Sequence, residues 1–309
     1  MQPQSDLLID RKRLKGQLVG WRTAALMLLF LFFISQLDGS KTNVGGRVVG
    51  GDYIARITIE GVMVDDLKRD ELMKKIRDDV HVKAVIVRMD SPGGTTVGGE
   101  EVFLQLREIA KKKPVVGTMR TVCASACYMA SLAADHVLAR EGTLTGSIGV
   151  LMQSFEVSRL ADKLGVTSIT VKSGAYKDVP SMAEPFTDEQ RGVVNQLIAD
   201  AYDRFVSMIV ERRKMEDATV RQLADGRVYT GHQAFNLKLI DAIGGEEEAL
   251  VWLTEKRSID KKLEIVDVKQ EEEFQSLVDQ LAQSSGIKIF EKSSIGLDGL
   301  VSIWHPSAI

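Results

Sequence analysis

An α/β fold of repeated βαβ units is what the sequence predicts for the body of this chain. Three observations carry the prediction. β-rich apolar runs alternate with helical runs along the chain, which is the pattern of strands joined by crossover helices. The 309 residues, 44% hydrophobic and 27% charged, are enough to bury one large core or two modest ones. No tandem repeat interrupts the alternation.

The first element lies ahead of that body. Thr23 to Leu37 (TAALMLLFLFFISQL) carries no charge, and the milder stretch from Leu18 extends it. Residues 18–37 thus reach the ~20 needed to cross a bilayer as a helix, and the run has no polar face that would suit a buried soluble helix. Arg11, Lys12, Arg13 and Lys15 precede it and Asp38 follows. The positive-inside bias therefore puts residues 1–17 in the cytosol and the body outside. No A-x-A-like cleavage site stands around Ser35 to Ser40, so an uncleaved anchor is expected. Residues 38–51, rich in Gly, Asn and Lys, read as a linker.

In the body, residues 52–260, Tyr53 to Ile59 alternates like a strand and Asp66 to Arg77 reads as a helix. Val82 to Met89 (VKAVIVRM) is a strand that ends at Asp90-Ser91-Pro92-Gly93-Gly94. A helix over Val97 to Lys113, a strand over Pro114 to Thr118, a small-residue helix over Cys123 to Ala134 and a strand over His136 to Ala139 follow. Ser147 to Met152 and Ser168 to Lys172 are expected strands, and Asp188 to Lys214 a long amphipathic helix. Tyr229 to Leu239 reads as a helix leading to a turn at Gly244-Gly245, and residues 261–309 form a C-terminal extension.

Composition excludes several function classes. A net charge of -3 and a pI near 5.9 give no general attraction to nucleic acid. His81, His136, His232 and His305 are scattered, and none combines with a cysteine at zinc-site spacing. The two cysteines, Cys123 and Cys127, lie four apart in an expected helix. Side chains on consecutive helical turns rarely meet disulfide geometry, so no disulfide is expected. For a Ser-His-Asp triad the chain offers little, since His136 sits on an expected buried strand and His232 in a turn.

The chemistry concentrates around Ser125, in VCASACYMAS. A strand giving way to a helix is a favourable place for a nucleophile, because helix N-termini present N–H groups and the positive end of a dipole. Small residues there also have a bland reading, namely tight helix packing. The SPGG segment after the strand ending at Met89 lets the backbone present N–H groups to a ligand. If the Gly94 and Ala126 N–H groups faced one point, they would form a two-donor oxyanion hole.

The order SPGG, small-residue Ser helix, TLTGSIGV, SGAYKD and GRVYTGHQAFNLKLIDAIGG, over Tyr53 to Gly245, resembles the signal peptide peptidase A (protease IV) family. The resemblance implies a ClpP/crotonase-like fold and a serine endopeptidase that needs no cofactor. By position it implies Ser125 as nucleophile, Lys177 as general base, and Ser147 as the serine that orients the lysine. Lys172 is the decoy before the Ser173-Gly174 turn. A serine hydroxyl is a poor nucleophile until a base removes its proton, and a lysine can do so only when neutral, which implies an alkaline activity optimum. Ala126 and Cys127 stand where the family usually has glycine. The resemblance also implies apolar peptide substrates such as signal peptides, and a homo-oligomeric ring with active sites between protomers. With the anchor, it implies the cytoplasmic membrane of a bacterium, with the catalytic domain on the periplasmic side. The rival readings are a crotonase-type acyl-CoA enzyme and a catalytically silent membrane scaffold of the same fold.

Overall fold

The computed structural model describes residues 42–44, 47–49, 51–269 and 301–303. The expected membrane span at 18–37 and His305 lie outside the described residues. Among those described, no helix is long and apolar enough to cross a membrane. Residues 1–50 form one unit and 51–309 another. In the first, inside the expected linker, β1 (Thr42–Val44) pairs antiparallel with β2 (Arg47–Val49).

The second unit begins with β3 (Tyr53–Glu60), and α1 (Leu67–Asp78) follows it. The Asp66 side chain caps α1 by accepting from the Lys68 and Arg69 amides, which would otherwise be unpaired at the helix start. β4 (Val82–Ser91) runs into the SPGG segment, whose glycines open β5 (Gly93–Thr95). α2 (Thr96–Ala110), capped by Thr95, leads to β6 (Val115–Ala124) and the short α3 (Ala126–Ser131). Then come β7 (His136–Ala139), β8 (Leu144–Gly146), α4 (Ser158–Lys163), α5 (Asp188–Arg213) and α6 (Asp217–Leu223). The body closes with β9 (Val228–Thr230), α7 (Gly231–Asn236), β10 (Ala242–Ile243), α8 (Glu246–Arg257) and β11 (Glu264–Asp267). A last strand, β12 (Val301–Ile303), pairs antiparallel with β5, Ser302 opposite Gly94.

The central sheet has the order β10-β7-β6-β4-β3-β11, every pair along this path parallel. Parallel strands need crossover connections, which the intervening helices supply, and they are covered on both faces. Ile54, Ala84, Ile86, Val116 and Leu138 accordingly pack with Ala249 and Leu253 of α8, while Met73 and Ile76 of α1 and Val102, Leu106 and Ile109 of α2 are also buried. The long β6 serves two partners. Its first half pairs with β7 at Val116 to Met119 and its second with β8 at Val122 to Ala124. β9 adds antiparallel to β8.

Four expected elements differ. Cys123 and Ala124 belong to β6 rather than to a helix, because β8 supplies them with ladder partners. The strand expected at Ser147 to Met152 forms instead at Leu144–Gly146. Tyr229 and Thr230 are strand, and helix begins only at Gly231. Ser168 to Lys172 forms no strand at all. No neighbouring strand reaches it, and Ile169 and Val171 are 87% and 95% exposed, so β propensity alone has nothing to pair with.

His136 opens β7 as a packed residue. Its ring stacks on Trp252 at 4.9 Å between centroids, and Asp241, the carboxylate 3.9 Å from its Nδ1, is paired to Arg213 at 2.9 Å. Burial lowers the His136 pKa, outweighing the attraction of Asp241. The unfolded chain therefore binds the proton more readily, and stability is present above the unfolded pKa of about 6.5 and falls as pH drops below it. Thermal unfolding followed by circular dichroism should show a midpoint that falls between pH 7.5 and 5.5, with the slope reduced in His136→Gln. An equal slope in that variant would remove His136 as its source.

Candidate active site

β6 ends at Ala124 and α3 starts at Ala126, so Ser125 occupies the single residue between strand and helix. Its backbone lies at φ 57°, ψ -118°, a region that a residue with a Cβ occupies only at a cost of ~1–3 kcal/mol and that persists where the surroundings over-determine it. Those surroundings are visible. The Ser125 N–H donates to the Gly146 carbonyl at 2.7 Å, and its carbonyl accepts from the Met129 N–H at 2.9 Å. One bond holds the turn to β8 and the other holds it to α3.

The adjacent loop is built the same way. Gly146 has φ +81°, and a Cβ there would come within 2.6 Å of the Tyr229 ring. Ser147, at φ 49°, donates its N–H to the Arg227 carbonyl at 2.8 Å. The β8–β9 pairing thus sets where both Ser125 and Ser147 stand.

The two serines meet on one cavity of about 490 Å³. Ile148 to Leu151 line it on one side and Asn195, Ile198, Ala199 and Tyr202 of α5 on the other, with Ala224 to Gly226 completing it. Apolar walls with a few polar groups suit an organic ligand such as a peptide side chain. Ser125 is only 1% exposed and Ser147 8%, so the cavity is where a ligand would meet them. The α5 residues escaped the sequence reading, although their i, i+3, i+4, i+7 spacing marks one helix face.

Gly94 stands where only glycine fits, since a Cβ would lie 1.8 Å from the Met63 carbonyl oxygen. Thr95 N–H donates to that oxygen and Gly93 C=O accepts from Met63 N–H, both at 2.8 Å. Backbone groups alternate direction along a strand, so the Gly94 N–H faces the opposite edge of β5, the edge that pairs with β12. Ala126 is fully buried against α2, whose Gly99 leaves no room for a side chain there: a Cβ would sit 2.9 Å from the Ala126 Cβ.

Lys177 is exposed in a turn closed by its N–H donating to the Gly174 carbonyl at 3.2 Å. It is not among the residues that line the cavity. Lys172, the decoy, is engaged elsewhere: its Nζ donates to Asp178 and Glu184, each at 2.8 Å. These hydrogen bonds, that to Asp178 first, raise its pKa and keep it charged, which is unsuitable for a base.

Cys123 and Cys127 form a disulfide, contrary to the expectation from their spacing. The reason is the turn. Cys123 is in the strand and Cys127 in the helix, and the kink at Ser125 brings their Cα atoms to 5.1 Å, inside the roughly 4.4–6.8 Å that disulfides span.

A serine on a sharp strand-to-helix turn, at the end of a strand in a parallel sheet and open to a cavity, is the arrangement of serine nucleophiles in α/β hydrolytic enzymes. The class that fold and site define is thus a serine hydrolase. Residues 107–260 match the family model of peptidase family S49. A Synechocystis sp. protein that carries a protease name is 32% identical over 258 residues, covering 79% of this chain and 93% of the relative. An Enterococcus faecium protein bearing the name signal peptide peptidase SppA is 35% identical over 220 residues, 67% of this chain and 64% of its own length. The chloroplastic serine protease SPPA of Arabidopsis thaliana is 32% identical over 240 residues, of which this chain spans 33% of the relative. A solved ClpP1 mutant from Listeria monocytogenes is similar over 62% of this chain and 92% of its own, at TM-score 0.43 and 14% identity. The chain belongs to peptidase family S49.

Gly94→Ala forces the Met63 backbone aside and should cost on the order of 1–3 kcal/mol. Gly142→Ala, with nothing within 4 Å of the added carbon, should be near neutral. Denaturant midpoints of the two variants check this contrast.

Proposed function

We propose that this chain is a membrane-anchored serine endopeptidase in which Ser125 attacks the peptide carbonyl, Lys177 removes its proton, and Ser147 orients the lysine. The observation that carries the reading is Ser125 on its strained turn, facing a cavity shared with Ser147 in a chain of family S49. In this mechanism the hydroxyl adds to the carbonyl, Lys177 passes the proton to the leaving amine, and water then releases the acyl group from Ser125. The Gly94 and Ala126 N–H groups would stabilise the oxyanion at each stage.

The substrates in this reading are apolar peptides, signal peptides released in the membrane among them. Two features support it. The cavity walls are largely apolar, and the edge of β5 already accepts a strand, β12, in antiparallel pairing. In this reading an extended peptide takes the place of β12 on that edge, through the same kind of backbone hydrogen bonds, and lies beside Gly94.

We place Lys177 in a site completed by a second copy, in a homo-oligomeric ring. Residues 151–187 support this, since none of them is buried while Phe155, Leu160, Leu164, Val166, Ile169 and Val171 are all exposed. So much apolar surface on one arm is the mark of an interaction site. The anchor at 18–37 would hold the catalytic domain on the periplasmic side of a bacterial cytoplasmic membrane. The disulfide agrees with a body outside the cytosol, where thiols are otherwise kept reduced.

Full-length protein in detergent should cleave a fluorogenic apolar peptide. Ser125→Ala and Lys177→Ala should each lower kcat by about 10⁴–10⁶. Mixing the two variants under subunit exchange should restore activity, because one copy then lends its serine and the next its lysine. Activity persisting in Ser125→Ala identifies another nucleophile, and failure of the exchanged mixture puts serine and lysine in the same copy.

A further inference from the structure

We infer that the Cys123–Cys127 disulfide is a positioning device for the nucleophile, a covalent clamp that holds Ser125 in its strained backbone conformation. This rests on Ser125 being the nucleophile as proposed above. The bond closes a ring over Ala124, Ser125 and Ala126, so its two ends lie on either side of that one residue.

Each end is anchored to something different. Cys123 is in register with Ser91 of β4 and Thr145 of β8, and its carbonyl accepts from the Thr145 hydroxyl at 2.7 Å. Its sulfur rests 3.9 Å from the Met89 sulfur in the core. Cys127 is in the first turn of α3, immediately after Ala126. The bond therefore ties the fixed end of the sheet to the start of the helix. Both cysteines are wholly buried.

No glycine relieves the turn. The residues from Val122 to Tyr128 all carry a side chain, yet Ser125 holds φ 57°. If the tie is opened, the residue can relax toward ordinary backbone angles, which moves its hydroxyl and the Ala126 N–H together. A staple meant for global stability would span a long segment, since chain-entropy stabilisation grows with the loop closed. This one encloses only Ala124, Ser125 and Ala126. Opening it takes two electrons and two protons and leaves two thiols: two reductant thiols supply both and become a disulfide, or a phosphine supplies the electrons and becomes its oxide while water supplies the oxygen and the protons. Closing it takes a disulfide as oxidant, which is itself reduced to a dithiol.

The test uses the full-length assembled protein. Alkylation in denaturant without reductant should modify neither cysteine, and modification of both overturns the inference. A fluorophosphonate probe should then label Ser125 of wild type, and the rate should fall about tenfold in Cys123→Ala/Cys127→Ala. With an apolar peptide, kcat per active site, counted from the end-point of probe labelling, should fall by the same factor while KM stays within about twofold, and counting sites in this way separates the effect from a loss of folded protein. Cys127→Ala alone, and wild type reduced until it takes up two alkyl groups, should give the same loss. Labelling rates equal to wild type in any of these folded forms overturn the clamp and leave the nucleophile standing. Absence of labelling in wild type overturns both.

Discussion

The hydrogen bond from the Ser125 N–H to the Gly146 carbonyl, 2.7 Å long, joins the two segments on which the site depends. It ends the β6–β8 ladder and turns the chain at once. The Ser125 N–H still bonds as a strand residue does, whereas its carbonyl accepts from the Met129 N–H as α3 begins, and the change of direction falls on its φ of 57°. Gly146, held at φ +81° against Tyr229, fixes in turn the direction in which Ser147 leaves β8. Strand register, loop conformation and the meeting of two serines on one cavity all follow from this junction.

The site is unequal in its support. On the side of Ser125, Gly94 and Ala126 it rests on the centre of a parallel sheet, with glycines at 94 and 99 allowing backbone and helix to approach more closely than a side chain would permit. The arm over 151–187 contributes no buried residue and keeps large apolar side chains in solvent. A firmly held serine and an unpacked arm in one chain make sense together if, as proposed, the arm's packing is supplied by another molecule. Hydrophobic surface of that extent is costly to leave in water.

Much of the architecture was legible from residue order. VKAVIVRM, YIARITI and the long helix starting at Asp188 have patterns that point to one kind of element, and the structure forms them within a few residues of the expected ends. Ser168 to Lys172 has the residue types of a strand but gains no neighbour, and β12 lies far from β5 in sequence, so neither outcome follows from local preference. Ser125 and Ser147 were legible as motif residues. The cavity that joins them was not, because its other wall comes from α5, about 50 residues beyond Ser147.

The sequence by itself determined the strand–helix alternation, the glycine-rich segment after β4, the small residues around Ser125 and the family motifs, since periodicity and steric tolerance are properties of neighbours along the chain. Tertiary structure alone decided that Cys123 is strand and Cys127 helix, and hence that they bond. A spacing of four rarely allows a bond within one helix but allows it across a kink, and the kink lies where the ladder to β8, a separate strand, makes its last bond.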